Sequence, residues 1–263
     1  PITICDELTD VNLDPLGFAE VFAETFDDGS TDNCCLDHFA VRRMDEPDAP
    51  FLPSVIFTCA DDTVQVIMRA YDCFGNFNEC MVLALVHDKV SPTCVPPPQK
   101  VISCTELAPD VTADWLNANF GTATTYDNCG AQIAELPFHE NINNCGLGHI
   151  IRSWAAVDGT GNISGTCSQF IYVVPQSNWA IHFPADWTGG CGDTISAPKI
   201  QVQNFACDML ATSFSDQYFL LGSDSACFKI VRTWKVINWC TYDPTKPAIQ
   251  LTHNPLGLTV EET

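Results

Sequence analysis

Short runs in which hydrophobic and polar residues alternate recur along the chain, and they predict β-strands. A period of two puts every second side chain on one face of a strand, and these runs are rich in β-branched, aromatic and aliphatic types. The clearest runs cover residues 64–71, 81–86, 150–157, 168–174 and 228–237. Helical periodicity is weak, and the best candidate, residues 109–120, predicts no more than a short surface helix in a loop.

Three passages resemble one another and indicate repeats of roughly 85 residues. Each contains an arginine two residues before an aromatic residue; the pairs are Arg69/Tyr71, Arg152/Trp154 and Arg232/Trp234. In the first two repeats a turn with Asp, Gly and Asn follows, at residues 72–76 and 158–162. Repeats of this length, built of short strands, predict antiparallel sandwiches of the immunoglobulin type.

The chain is therefore expected to be all-β, with three tandem disulfide-stapled immunoglobulin-like β-sandwich domains in an extended array. The predicted domains are residues 1–90, 91–176 and 177–263, and the first is expected to be incomplete at its N-terminus. Residues 87–98, which are rich in proline from residue 92 onward, are expected to form a stiff, extended connector after the first repeat, because consecutive prolines favour polyproline II.

Composition narrows the functional classes. The chain has 11 Lys and Arg against 33 Asp and Glu, a formal net charge of −22. Nucleic acids and anionic membrane surfaces are bound by clustered positive charge, so neither is an expected partner. No apolar run is long enough to span a bilayer, so membrane insertion is not expected either.

The 15 cysteines indicate an oxidising compartment, because thiols in a reducing cytosol seldom form stable disulfides. Zinc is the competing interpretation, but no Cys-x2-Cys knuckle occurs and the cysteines are spread over strands and turns. We therefore expect disulfides and an extracellular or cell-surface location.

Cysteines at corresponding positions of the repeats predict a connectivity. The predicted pairs are Cys34–Cys59, Cys5–Cys80 and Cys35–Cys73 in the first repeat, Cys129–Cys145 and Cys104–Cys167 in the second, and Cys207–Cys227 and Cys191–Cys240 in the third. Four cysteines allow three connectivities, so other pairings stay open. Cys94, in the proline-rich stretch, is left over and is expected to be free or bonded to another chain.

Acidic loops offer the oxygen ligands that Ca²⁺ requires. The candidate ligands are Asp27, Asp28, Asp32, Asp61 and Asp62 in the first repeat and Asp127 and Asp158 in the second. No EF-hand spacing is present, and Asp-Asn turns also form for backbone reasons alone. Calcium is thus one candidate, and no cofactor is expected to be required.

The recurring Arg-aromatic pairs have two interpretations. They are either a ligand-stacking site or a packing device, with the aromatic ring in the core and the arginine covering it or stacking on it. Recurrence in every repeat favours packing. No Gly-x-Ser-x-Gly elbow and no His-Glu-x-x-His motif occurs, so an enzyme is not expected.

The chain resembles hyalin-repeat and immunoglobulin-like tandem modules of large secreted Bacteroidota proteins. The resembling residues are Ile151 to Asn162, the turn 127–130, and the junction 91–96 that leads to residues 101–104. The third repeat departs from the pattern, with Asn238-Trp239-Cys240 at its turn. The resemblance implies export by the type IX pathway and a role in surface adhesins, filaments or appendages.

We therefore expect a non-enzymatic structural segment of an extracellular bacterial filament, appendage or adhesin stalk that associates with itself. Exposed aromatic residues expected to take part in association are Phe51, Trp179, Trp187 and Trp239. The alternative is a carbohydrate- or protein-binding module array of a secreted protein. In that case Trp179, Trp187 and Trp239 form a platform for host or prey surface glycans.

Overall fold

The computed structural model describes residues 1–191, 198–223 and 226–262, and most of its regular structure is β-strand. In the first third of the chain the strands are β1 (Leu8–Asn12), β2 (Phe18–Phe22), β3 (Leu36–Arg43), β4 (Ser54–Thr58), β5 (Thr63–Asp72) and β6 (Phe77–His87). The middle third has β7 (Thr93–Val95), β8 (Lys100–Ser103), β9 (Thr124–Tyr126), β10 (Ala131–Glu135), β11 (His139–Ile142), β12 (Gly148–Asp158) and β13 (Cys167–Val174). The last third has β14 (Trp179–Phe183), β15 (Gln201–Asn204), β16 (Leu210–Ser223), β17 (Ala226–Asn238) and β18 (Leu258–Glu262).

Two short helical segments complete the secondary structure of the described residues. A 3-10 turn covers Ala23–Phe26, and helix α1 covers Ala113–Phe120. The Thr112 hydroxyl caps α1 by accepting a hydrogen bond from the backbone N–H of Trp115. The helix is shorter than the predicted range 109–120, and its Leu116 is fully buried rather than at the surface.

Two compact units arise from the packing of these elements, and their sequence ranges interleave. Unit 1 comprises Pro1–Pro97, Thr122–Pro137 and Arg152–Ser168, and unit 2 comprises Pro98–Gly121, Phe138–Ile151 and Gln169–Thr263. The predicted domains 1–90, 91–176 and 177–263 divide the chain by sequence similarity, and their bounds stay a prediction.

Unit 1 contains a sandwich of the immunoglobulin type. One sheet has the strand order β1-β6-β5-β3, with β1 parallel to β6, and the second sheet pairs β2 with β4. Alternation along β5 turns Val66 and Met68 inward, where they are fully buried in one core with Val41 of β3 and Phe57 of β4. Unit 1 also holds β10, which pairs with the C-terminal half of β12.

Unit 2 repeats the parallel pairing of the first sandwich, since β8 lies parallel to β13. Its core contains Ile102 of β8, Leu116 of α1, Ile150 of β12 and Ile171 of β13. Farther along the chain the arrangement changes: β14 pairs antiparallel with β15 and β18, while β16 and β17 form a long hairpin.

The all-β, disulfide-stapled, immunoglobulin-like fold class is confirmed, and all five runs with clear alternation lie within strands. In the third predicted repeat, residues 249–252 form no strand. The described residues include no helix that is long and apolar enough to cross a membrane.

Candidate functional site: disulfides and an acidic cluster

Seven disulfides join cysteines of the described chain. Two of them, Cys5–Cys80 and Cys35–Cys73, are predicted pairs. The other five are Cys59–Cys129, Cys94–Cys167, Cys104–Cys207, Cys145–Cys240 and Cys191–Cys227. All seven pairs have Cα–Cα distances between 5.3 and 6.1 Å, the usual range for disulfides.

The remaining predicted pairs are wrong: Cys34–Cys59, Cys129–Cys145, Cys104–Cys167, Cys207–Cys227 and Cys191–Cys240. Cys94 is also not left over, because it is bonded to Cys167, whereas Cys34 is an exposed free thiol. The prediction kept every disulfide within one repeat, whereas three of the five unpredicted disulfides join different predicted repeats. Cys59, at the end of β4, lies instead beside Gly17 and Asn128 and bonds to Cys129.

Three disulfides connect different predicted repeats. Cys59–Cys129 joins the first to the second, and Cys104–Cys207 and Cys145–Cys240 join the second to the third. Consecutive disulfides therefore overlap in sequence from Cys5 to Cys240. No segment between these two cysteines is spanned by the backbone alone.

The Arg-aromatic pair of the second repeat is a packing device, as the sequence favoured. Arg152 and Trp154 are both fully buried, and the guanidinium carbon lies 4.6 Å from the centroid of the indole ring. The charge of Arg152 is balanced by Glu135 at 3.0 Å. In the third repeat Arg232 stacks on Phe214 at 3.9 Å and pairs with Asp216.

The pair of the first repeat lies on the other face of its strand. Val66 and Met68 of β5 face the core, so Arg69 and Tyr71 point away from it. Arg69 covers the ring of Phe51 at 3.6 Å, which leaves Phe51 half-buried. The expectation of a core aromatic is therefore wrong for Tyr71.

An acidic cluster lies in unit 1, where three carboxylates each provide one oxygen within 4.8 Å of the others. Asp88 follows the end of β6, Asp127 follows β9, and Asp158 ends β12. Asp88 and Asp158 are only 7% and 8% exposed. Three strand ends thus bring negative charge together at one partly enclosed position.

The Asp158 carboxylate organises the turn that follows it. Its Oδ1 accepts hydrogen bonds from the backbone N–H groups of Thr160 (2.9 Å) and Asn162 (2.8 Å), and its Oδ2 accepts one from the Asn162 amide (2.8 Å). Burial acts to raise the pKa of Asp158, but the hydrogen bonds from Asn162 and Thr160 outweigh it and hold that pKa below the ordinary value. Asp158 is therefore prepared to carry a negative charge.

The other members of the cluster leave oxygens without donors. Asp88 Oδ1 accepts from the N–H of Val90 (3.0 Å) and the Asn128 amide (3.1 Å), and Asp127 Oδ2 accepts from the N–H of Cys129 (3.0 Å). In contrast, Asp88 Oδ2, Asp127 Oδ1 and Asn128 Oδ1 are buried and accept no hydrogen bond from the described part of the chain. Buried acceptors without a partner are rare and energetically costly.

Of the seven predicted calcium ligands, the structure brings Asp127 and Asp158 together and leaves the other five outside this cluster. Asp27 caps the turn at residues 29–30, Asp32 pairs with the N-terminal amine and Asp61 pairs with Arg43. Asp28 and Asp62 are exposed. The sequence interpretation missed Asp88 and the unsatisfied oxygen of Asn128, since Asp88 stands at the start of what was interpreted as a connector.

Comparisons with known proteins give similarity of fold only. No family model and no curated protein matches the chain. Extracellular cadherin domains 1–4 of protocadherin gamma B7 match with 14% identity over 89% of this chain and 75% of that chain, at a TM-score of 0.30. Human CDH23 EC21–23 matches with 9% identity over 89% and 99%, at 0.32. The fibronectin(III)-like modules of Clostridium thermocellum CbhA match with 14% identity over 66% and 95%, at 0.24.

Proposed function

We propose that this chain is a non-enzymatic structural segment of an extracellular filament, appendage or adhesin stalk of a bacterial surface. Seven disulfides suit an oxidising location outside the cytosol. A net charge of −22 keeps the surface well solvated. The bacterial source and type IX export follow the resemblance of the sequence to hyalin-repeat modules.

The observation that carries this proposal is a covalent short cut through the chain. One route begins at the disulfide Cys5–Cys80 and follows the backbone from Cys80 back to Cys59. It crosses the disulfide Cys59–Cys129, follows the backbone from Cys129 to Cys145, and ends across the disulfide Cys145–Cys240. A second route uses the same first and last disulfides. It follows the backbone from Cys80 forward to Cys94, crosses the disulfide Cys94–Cys167, and follows the backbone from Cys167 back to Cys145. Either route follows roughly 36 residues of backbone, against roughly 235 along the whole chain, so a fully stretched molecule reaches about 150 Å rather than about 820 Å between Cys5 and Cys240.

Such duplicated routes suit a load-bearing role. A pulling force that unfolds the strands is transferred to disulfides after a short extension, and the loss of one of the two crossing disulfides leaves the other route intact.

Force spectroscopy on the isolated chain, held by its two ends, tests the proposal. We expect the oxidised chain to extend by less than about a third of the length reached after reduction, a share that includes the stretch of the two segments outside Cys5 and Cys240. Cys59→Ser/Cys129→Ser is expected to leave the maximum extension nearly unchanged, because the route through Cys94–Cys167 remains. Extension of the oxidised chain beyond about 400 Å would contradict the load-bearing role.

Self-association is the second part of the proposal. Cys34 is exposed and free, so it replaces Cys94 as the candidate for a disulfide between chains; Cys94 is bonded to Cys167. Negative-stain microscopy of the native secreted material, with and without reductant, tests assembly. Regular fibres support the filament, whereas isolated single molecules under all conditions contradict it.

A binding-module array is the alternative, and one observation favours it. Trp239 and Tyr242 are each 53% exposed and form an edge-to-face pair with centroids 5.7 Å apart. Adjacent exposed rings of this kind can stack on sugars. Retention of the monomer on a glycan column, lost in Trp239→Ala but not in Phe74→Ala, would support this alternative over the filament; Phe74 is 78% exposed.

A further inference from the structure

We propose that Asp88, Asp127 and Asp158 bind a calcium ion, with Asn128 as a further ligand. Calcium prefers six to eight oxygen ligands at about 2.3–2.6 Å, so two ligands of one ion lie no more than about 4.6–5.2 Å apart. The three carboxylate oxygens, which lie within 4.8 Å of one another, fit inside that sphere.

The unsatisfied oxygens point to a ligand beyond a mere acidic cluster. Asp88 is more than nine-tenths buried, its Oδ1 is held by two donors, and its Oδ2 has none. Asp127 shows the same division, with Oδ2 held by a backbone N–H and Oδ1 without a donor. Each side chain is thus fixed by one oxygen while the other remains available to a cation.

No positive side chain neutralises this charge. Among the described residues, no Lys, Arg or His forms an ion pair with Asp88, Asp127 or Asp158. Three neighbouring carboxylates repel one another, and burial removes the water that would otherwise screen them. A bound divalent cation relieves both penalties at once. Mg²⁺ fits less well, because it gives up its water reluctantly and seldom occupies a cage of protein ligands.

The ligands come from two predicted repeats. Asp88 belongs to the first and Asp127 and Asp158 belong to the second, and the Asn128 amide also donates to the backbone oxygen of Asp14 (3.1 Å). The Asn162 amide donates to the backbone oxygen of Asp88 (2.9 Å). A calcium ion here therefore ties the same junction as Cys59–Cys129, but reversibly.

Isothermal titration of the oxidised 263-residue chain with CaCl₂ tests the site. We expect one ion to bind with a Kd of about 10⁻⁴ to 10⁻³ M, the range of extracellular calcium modules. Asp127→Asn and Asp158→Asn are expected to weaken binding at least tenfold. The matched control is Asp28→Asn, which removes one charge from an exposed loop and is expected to bind like the parent chain.

Hydrogen exchange on the unaltered chain keeps the test independent of folding of the variants. Calcium is expected to slow exchange at residues 88–90, 127–129 and 158–162. The proposal is overturned by absence of calcium binding at millimolar concentration, by equal binding in Asp127→Asn or Asp158→Asn, by equally tight binding of Mg²⁺, or by protection elsewhere in the chain. Since the force test of the proposed function depends on the disulfides and not on calcium, a failure of calcium binding would leave it unaffected.

Discussion

At the scale of single residues, one arginine forms ion pairs with two aspartates. Arg43 is mostly buried and pairs with Asp61, whose side chain is 10% exposed, and with Asp45, whose side chain is 57% exposed. The hydrogen bond from Arg43 lowers the pKa of Asp61, and it outweighs the burial that would raise that pKa. Two carboxylates thus share one guanidinium but differ in exposure.

This pair predicts a specific acid sensitivity. An aspartate with a lowered folded-state pKa contributes stability above its unfolded pKa of about 3.9, and loses it as pH falls through the folded value. We expect Asp61→Asn to lower the free energy of unfolding at pH 7 by about 1–3 kcal/mol and to flatten its decline below about pH 4. Urea unfolding at a series of pH values measures both effects.

The exposed neighbour provides the control for that series. Asp45→Asn removes a charge from the same arginine, but solvent screens this contact, so we expect a loss under about 1 kcal/mol. Equal effects of the two substitutions would show that burial does not decide the strength of the pair.

At the scale of elements, a hairpin turn is repeated with the same hydrogen bonds. Asp72 accepts from the N–H groups of Phe74 and Asn76, and Asp158 accepts from those of Thr160 and Asn162. These turns were predictable from sequence, because Asp and Asn fold back on their own backbone and Gly supplies positive φ. Strand residues of two repeats are therefore aligned more reliably by counting back from these turns than by matching similar side chains.

The misplaced Arg-aromatic pair shows why. Counted from the turn, Arg152 and Trp154 correspond to Val66 and Met68, three residues before Arg69 and Tyr71. An odd shift along a strand exchanges its two faces, so the matched residues of the first repeat lie outside the core. Local alternation predicted the strands, but similarity of side chains could not fix which face is buried.

The start of β12 depends on a glycine. Gly148 has φ +151°, and a Cβ there would lie 1.9 Å from the backbone oxygen of Asn141 in the paired strand β11. We expect Gly148→Ala to destabilise the protein by at least about 2 kcal/mol, because the β11–β12 pairing must open to relieve the clash. Thermal unfolding measures the loss.

Gly159 is the matched control for this substitution. It lies in the turn after β12, and a Cβ there meets nothing within 4 Å. We expect Gly159→Ala to change stability by less than about 0.5 kcal/mol. A similar loss in both variants would contradict a role of the clash at Gly148.

At the scale of the whole molecule, the long-range pairings were the least predictable part. The compartment and the fold class follow from composition and alternation. Which cysteine meets which depends on where loops distant in sequence lie, and four of the five unpredicted disulfides span 70 residues or more. Two of the three carboxylates of the acidic cluster were predicted as ligands, and the third, Asp88, was missed because only the fold brings it to the other two.

Removal of the disulfide Cys59–Cys129 is expected to lower the stability of the fold without changing the maximum extension of the stretched chain. Closing a loop of this size stabilises a protein by about 2–4 kcal/mol, so we expect Cys59→Ser/Cys129→Ser to lower the free energy of unfolding by that amount. Cys34→Ser removes a free thiol and is expected to have no effect. Urea unfolding of oxidised monomers compares the three chains, and an equal loss in Cys34→Ser would contradict the assigned pairing.

The disulfides that join different predicted repeats also affect whether a single repeat can be gained or lost as a unit. Tandem arrays of self-contained domains can gain or lose a repeat by recombination, because each repeat carries all of its own bonds. Here, deletion of the second predicted repeat would orphan Cys59, Cys207 and Cys240 at once. Duplication would create competing partners for the same thiols. We therefore expect a change in the number of predicted repeats between Cys5 and Cys240 to leave native thiols without their partners.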